Sequence, residues 1–139
     1  MSEQPLTSPN IERLDRWAVE VRKVEKPWGW ELVWAEADAY VGKLLFVRAG
    51  HALSLQFHRV KDESWYVESG RAELQLGEPG NAVLKTEVIG PGACFRFRPG
   101  TVHRVKALED TLIVEVSTPQ LDDVVRLEDD YGREGTSAP

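Results

Sequence analysis

The 139-residue sequence has one cysteine, Cys94. No internal disulfide framework can therefore form, and the composition suits a reducing cytoplasm. No apolar run approaches the roughly 18 residues of a membrane span. The opening stretch, MSEQPLTSPN, has neither the basic nor the apolar block of a signal peptide. Basic residues are in deficit: 17 Lys and Arg face 23 Asp and Glu, for a net charge of -6. Phosphate backbones select basic surfaces, so nucleic acid is not an expected partner, and neither is a membrane. A local basic pocket for one small phosphate remains compatible with an acidic chain. Repeats at solenoid or propeller periods are missing too.

Turn residues and short apolar runs are what the sequence does have. Residues 1–20 read as an N-terminal extension, with Ile11, Leu14, Trp17 and Ala18 at the spacing of a short helix over 10–19. Residues 21–133 read as one β domain, and 134–139 as a flexible tail. Within the domain, strand-like runs fall at about 30–34, 40–48, 52–58, 64–68, 71–76, 82–88, 94–98, 102–107 and 111–117. Gly50, Gly70, GEPG at 77–80, GPG at 90–92 and Pro99-Gly100 separate them. Many short strands at this spacing predict an all-β sandwich or barrel. LQLGEPGNAVL predicts a hairpin between two of them. Exposed sheet edges and the apolar residues of 10–34, including Ile11, Leu14 and four tryptophans, predict a homodimer. Trp28, Trp30 and Trp34 suit packing better than sugar stacking.

One stretch breaks the pattern. In LSLQFHRVKDESWYVESG, Gln56 and His58 are two residues apart in an apolar run, so they share a strand face. Their Cα atoms lie about 6.5 to 7 Å apart, within reach of a common ion. A bend over 60–62 would return Glu63 to the same place, and His103 after Pro99-Gly100 is a fourth candidate. An amide oxygen, two imidazoles and a carboxylate suit a borderline divalent metal: Zn foremost, with Mn, Fe, Co or Ni as alternatives. Each residue alone is more often an ordinary core or surface side chain; the case rests on the four together.

The spacing resembles the cupin family. Gly50, five residues, Gln56, one residue, His58, four residues, Glu63, six residues, Gly70 follow its first motif, with Gln56 at the place of the first histidine. Gly92, Gly100 and His103 are in register with its second motif, while Arg98 stands for the proline and Ala107 for the asparagine. QFH, ESW, KPWGWE, GTVHR and DDVVRLEDDYGR further resemble the cupin domain of mannose-6-phosphate isomerases, over about residues 24–133. That resemblance implies a double-stranded β-helix, one divalent metal in the barrel mouth and a sugar-phosphate substrate.

Aldose–ketose isomerisation moves a proton between C1 and C2 through an enediol. It needs oxygen polarisation, which a metal can supply, a nearby base and a phosphate anchor. Lys43 and Glu115 are the candidates for proton transfer, because each interrupts an apolar strand. Strand alternation favours the opposite expectation, an outward place on a solvated face. Arg126 is the leading phosphate ligand, with Arg104, Arg133 and Lys26 behind it, since guanidinium binds phosphate in bidentate fashion. Two other readings stay open. One is a metal-dependent oxygenase; the other is a non-catalytic cupin that binds metal or sugar.

Overall fold

The computed structural model describes residues 18–81 and 83–135. It contains β1 (Arg22–Lys26), β2 (Gly29–Glu36), β3 (Val41–Val47), β4 (Leu55–Phe57), β5 (Glu63–Ser69), β6 (Ala72–Gly77), β7 (Lys85–Ile89), β8 (Cys94–Phe97), β9 (Val102–Ala107), β10 (Thr111–Ser117) and β11 (Val125–Glu128). The helix expected over 10–19 lies, save for its last two positions, outside the described residues. Ala18 and Val19 are in neither helix nor strand. No helix among the described residues is long and apolar enough to cross a membrane.

Two antiparallel sheets form the barrel. One has the order β1-β2-β3-β10-β5-β8, the other β11-β4-β9-β6-β7. The expected hairpin is present as β6 and β7, paired from Ala72↔Ile89 to Leu76↔Lys85. Gly70, with φ +94° and the backbone of Asp110 and Thr111 against its α-carbon, makes the turn into β6 in space no side chain could share.

The inner faces of the strands change character along their length. On β3, Val47 and Leu45 give way to Lys43; on β10, Ile113 gives way to Glu115; on β5, Val67 gives way to Glu63; on β9, Val105 gives way to His103. All of these residues are buried. Register aligns the switch: Leu45↔Ile113↔Val67 is an apolar row, and Lys43↔Glu115↔Trp65 lies one pleat further on. The core therefore fills one part of the barrel, around Val67, Leu74, Phe97, Val105 and Ile113. Removing that apolar surface from water drives the closure of the two sheets. The polar positions are left to line a cavity.

β1 and β11 correct the sequence reading, which has no strand at either place. Their inner faces carry Arg22, Val24 and Lys26, and Arg126, all at the cavity. β1 has charge on both faces, and β11 buries its charge while Val125 and Leu127 face out, so neither shows the apolar inner face by which strands are recognised. β4 is shorter than expected, because the backbone of 52–54 meets the backbone of β9 only through the Ala52↔Lys106 bridge and the Leu53 N–H to Val105 carbonyl bond. Of the tryptophans, Trp28 is in the core, Trp30 stacks on Phe46 at 5.2 Å, and Trp34 lies over Gly42.

Candidate functional site

Three strands of the smaller sheet set one wall. Arg126 on β11 is directly opposite Gln56 on β4, which is opposite His103 on β9. Residues opposite one another in an antiparallel pair share a face, so this row points into the barrel. The facing wall is the Lys43↔Glu115↔Trp65 row, with Glu63 one pleat beyond Trp65. Between them is a cavity of about 150 Å³.

His58, Glu63 and His103 meet at its inner end, all buried, with one ligand atom of each within 4.8 Å of the others. Nε2 of His103 is 2.9 Å and Nε2 of His58 is 3.4 Å from Oε1 of Glu63. The other ring nitrogens are already committed: Nδ1 of His103 to the Thr101 carbonyl at 3.0 Å, and Nδ1 of His58 to the Asp123 carbonyl. A carbonyl only accepts, so each Nδ1 carries a proton and a neutral ring turns its Nε2 lone pair toward Glu63. Nε2 of His103 and Oε1 of Glu63 are buried without a hydrogen-bond partner. Facing lone pairs of this kind repel unless a cation sits between them. Donor atoms about 2.0–2.1 Å from a tetrahedral ion stand about 3.3 Å apart, close to the two separations here. The set therefore fits a divalent metal, with backbone carbonyls orienting both imidazoles. Phe97 stacks on His103 at 4.4 Å and fixes the ring plane.

Gln56 borders the same space. Its amide nitrogen donates to Oγ of Ser54 at 3.1 Å, which leaves the carbonyl oxygen as the atom it could offer a cation. Burial works against charge on Glu63, but, with no cation between them, hydrogen bonds donated by Nε2–H of protonated His103 and His58, and the Lys61 ammonium, outweigh it. The carboxyl is held well below its usual range.

Lys43 and Glu115 are not on a solvated face, which corrects the expectation from alternation; both are buried and line the cavity. The outer face of β10 carries Val114 and Val116, so both faces are apolar and the pattern does not identify the inner one. Sequence reasoning also missed Lys61, placed in a bend but buried within the cavity. Its Nζ is 2.8 Å from Glu63 and 3.4 Å from Glu115. Burial disfavours the ammonium, yet Glu115 and Glu63 more than compensate, and its pKa is raised. Glu115 is pushed up by burial and by Glu63, against the pull of Lys61 and Lys43. It accepts the Trp65 Nε1–H at 2.9 Å. Lys43 is 3.4 Å from Glu31 and 4.0 Å from Glu115.

The outer end is cationic. Lys26, Arg126 and Arg133 all line it. Burial lowers the pKa of Lys26, and Lys43, Arg133 and Arg126 add repulsion against the attraction of Glu31. Arg126 is likewise lowered, by burial first and then by Arg133. Arg133 is held in bidentate fashion by Asp129 at 3.0 Å. Arg104 is the exception among the phosphate candidates. It follows His103 on β9 and so points to the other side, where it bonds the Leu53 carbonyl at 2.9 Å and Asp130 at 2.8 Å. It does not line the cavity.

Comparison with known proteins agrees with this architecture. Residues 15–129 match the family described as mannose-6-phosphate isomerase C-terminal. The xanthan biosynthesis protein XanB of Xanthomonas campestris pv. campestris is 38% identical over 117 residues, covering 81% of this chain and 24% of XanB. Alginate biosynthesis protein AlgA of Pseudomonas putida is 35% identical over 122 residues, covering 82% and 23%. Mannose-1-phosphate guanylyltransferase 2 of Escherichia coli O157:H7 is 30% identical over 119 residues, covering 81% and 23%. The chain thus spans about a quarter of the length of these relatives. Among solved structures, KdgF from Halomonas sp. superposes with TM-score 0.60 at 23% identity, over 75% of this chain and 89% of KdgF. Oxalate decarboxylase of Lactobacillus farciminis gives 0.65 at 15% identity, over 77% and 33%. At such identities the likeness is one of fold, and the fold is the cupin barrel.

Proposed function

Because the chain belongs to the mannose-6-phosphate isomerase C-terminal family, we propose that it interconverts mannose 6-phosphate and fructose 6-phosphate as a metal-dependent isomerase. The observation that carries this reading is a cavity whose two ends want opposite things. At one end Gln56, His58, Glu63 and His103 offer lone pairs to a cation. At the other, Lys26 and Arg126 offer charge to an anion. A sugar phosphate has hydroxyl and carbonyl oxygens at one end and an anion at the other.

In this reading Gln56, His58, Glu63 and His103 hold one divalent ion, Zn being the best match to the nitrogen and oxygen donors. When bound, that ion supplies Lewis-acid polarisation of the sugar oxygens. Arg126, with Lys26 beside it, binds the phosphate. Lys61, kept charged by its two carboxylates, adds positive potential near the inner end, where an enediolate oxygen develops charge. Glu115 and Lys43, on the wall between the two ends, are the groups assigned to move the proton between C1 and C2.

A coupled isomerase assay with mannose 6-phosphate tests the reading. Arg126→Ala should lower kcat/KM by at least about 30-fold, the loss of one partly buried charged contact, and leave metal content unchanged. Equal turnover by the variant removes Arg126 from the phosphate site. A parent protein whose melting temperature rises with mannose 6-phosphate but which turns nothing over is a binding module instead.

A further inference from the structure

We propose that Asp123 is the positioning residue of the metal centre, which fixes the loop that presents His58 and Lys61; this rests on the metal reading of His58 given above. Of the four candidate ligands, Gln56, Glu63 and His103 are in strands and His58 is not. It opens the loop 58–62, where the chain crosses from the smaller sheet to the larger. Ladder hydrogen bonds therefore place three of the ligands, and something else must place the fourth.

Asp123 supplies it. One carboxylate oxygen accepts the N–H of Val60 at 2.7 Å and of Lys61 at 2.8 Å, and the other accepts the N–H of Arg59 at 3.0 Å. The main-chain carbonyl of the same residue accepts Nδ1–H of His58. Four consecutive residues are thus tied to one. Thr118 extends the seam, with Oγ1 accepting the Asp62 N–H at 3.1 Å and its own N–H donating to the Asp62 carbonyl at 3.0 Å. Successive amides that converge on one point form an anion nest, and here the anion is built in.

Both halves of the seam bear on the cavity. Lys61 leaves the nest with its side chain inside, and Arg126 follows Asp123 by three residues, with Leu121, Asp122 and Val124 also bordering the space. Asp123 lies in DDVVRLEDDYGR, where Arg126 explains one position and the acidic pair is otherwise unaccounted for. The carboxylate is not itself a ligand. It sets where His58 stands and which nitrogen of the ring is free.

The test compares the whole chain with Asp123→Ala and Asp123→Asn. Affinity for Zn²⁺ is read by competition with a chromophoric chelator, urea unfolding of the metal-free forms is run alongside, and amide hydrogen exchange is followed at 59–61. Outer partners of metal ligands are typically worth 10- to 100-fold in affinity. Asp123→Ala should weaken Zn²⁺ by at least about 10-fold and deprotect the three amides. Asn keeps one accepting oxygen and should fall between. Unchanged affinity and protection in Asp123→Ala overturn the proposal, as does a loss of stability with affinity of the folded form intact. A parent that binds no Zn²⁺ refutes the metal reading, and with it the proposal; an affinity loss confined to the variants upholds both. Should Asp123→Ala fail to fold, Asp123→Asn decides on the same two readouts.

Discussion

The two ends of the cavity are built from the same sheet row yet are opposite in character. At the inner end, two imidazoles and a carboxylate converge, and the atoms that face one another include unpartnered acceptors. At the outer end, Lys26, Arg126 and Arg133 crowd together, and burial and mutual repulsion lower the pKa of Lys26 and Arg126. His103, Gln56 and Arg126 are neighbours across three strands, so the ends are roughly 10 Å apart at about 4.8 Å per strand. Along the opposite wall the charges alternate, from Glu63 through Lys61, Glu115 and Lys43 to Glu31. Acceptors converge at one end and cations crowd the other, which suits the cation and the anion of the proposed function. The cavity is poorly organised for stability alone, since buried charges cost more than apolar residues of the same size.

The largest effect should come from breaking the wall that divides the ends. Glu115→Ala leaves the buried Trp65 indole N–H without its acceptor and the Lys61 ammonium with Glu63 alone. Removing one member of a buried ion pair costs about 3–5 kcal/mol, so urea unfolding should show a loss of that order. A loss under about 1 kcal/mol would mean that the carboxylate is dispensable to its neighbours. Next comes the inner end. His103→Ala should weaken Zn²⁺ by more than about 100-fold, or about 2.7 kcal/mol, with far-ultraviolet circular dichroism unchanged. Full metal occupancy in that variant would dismiss the centre. The contrast with Arg126→Ala is what sharpens the comparison: one variant should lose metal, the other only phosphate.

The smallest effect concerns the support of the outer end. Burial raises the Asp129 carboxyl, but the side-chain and backbone hydrogen bonds from Arg133 outweigh it and leave the pKa below its usual 3.8. A carboxyl lowered by folding adds stability that is fully present above the usual value and is lost as pH falls through the folded one. Asp129→Asn should therefore cost about 1.5 kcal/mol near neutrality and flatten the acid limb of stability below about pH 4. Metal affinity should not move. A variant whose acid limb matches the parent's would show that the pair adds nothing to stability.

The sequence by itself determined the fold class and the inner end. Glycine and proline turns at short intervals permit little but β structure, and the spacing of Gln56, His58 and Glu63 with a distant His103 carries chemistry that an apolar strand has no other use for. It did not determine β1, β11, or the places of Lys43, Lys61, Glu115 and Arg104. A strand is recognised because its buried face is apolar, and these strands bury charge. Lys61 looks like a loop lysine until the nest at Asp123 turns its side chain inward, and Glu115 looks like a solvated residue until its apolar neighbour Val116 proves to be the exposed one. Which buried polar groups meet depends on register between strands far apart in sequence, such as Arg126↔Gln56↔His103. Only the closed barrel brings those strands side by side, because only closure takes enough apolar surface out of water to offset the burial of so much charge.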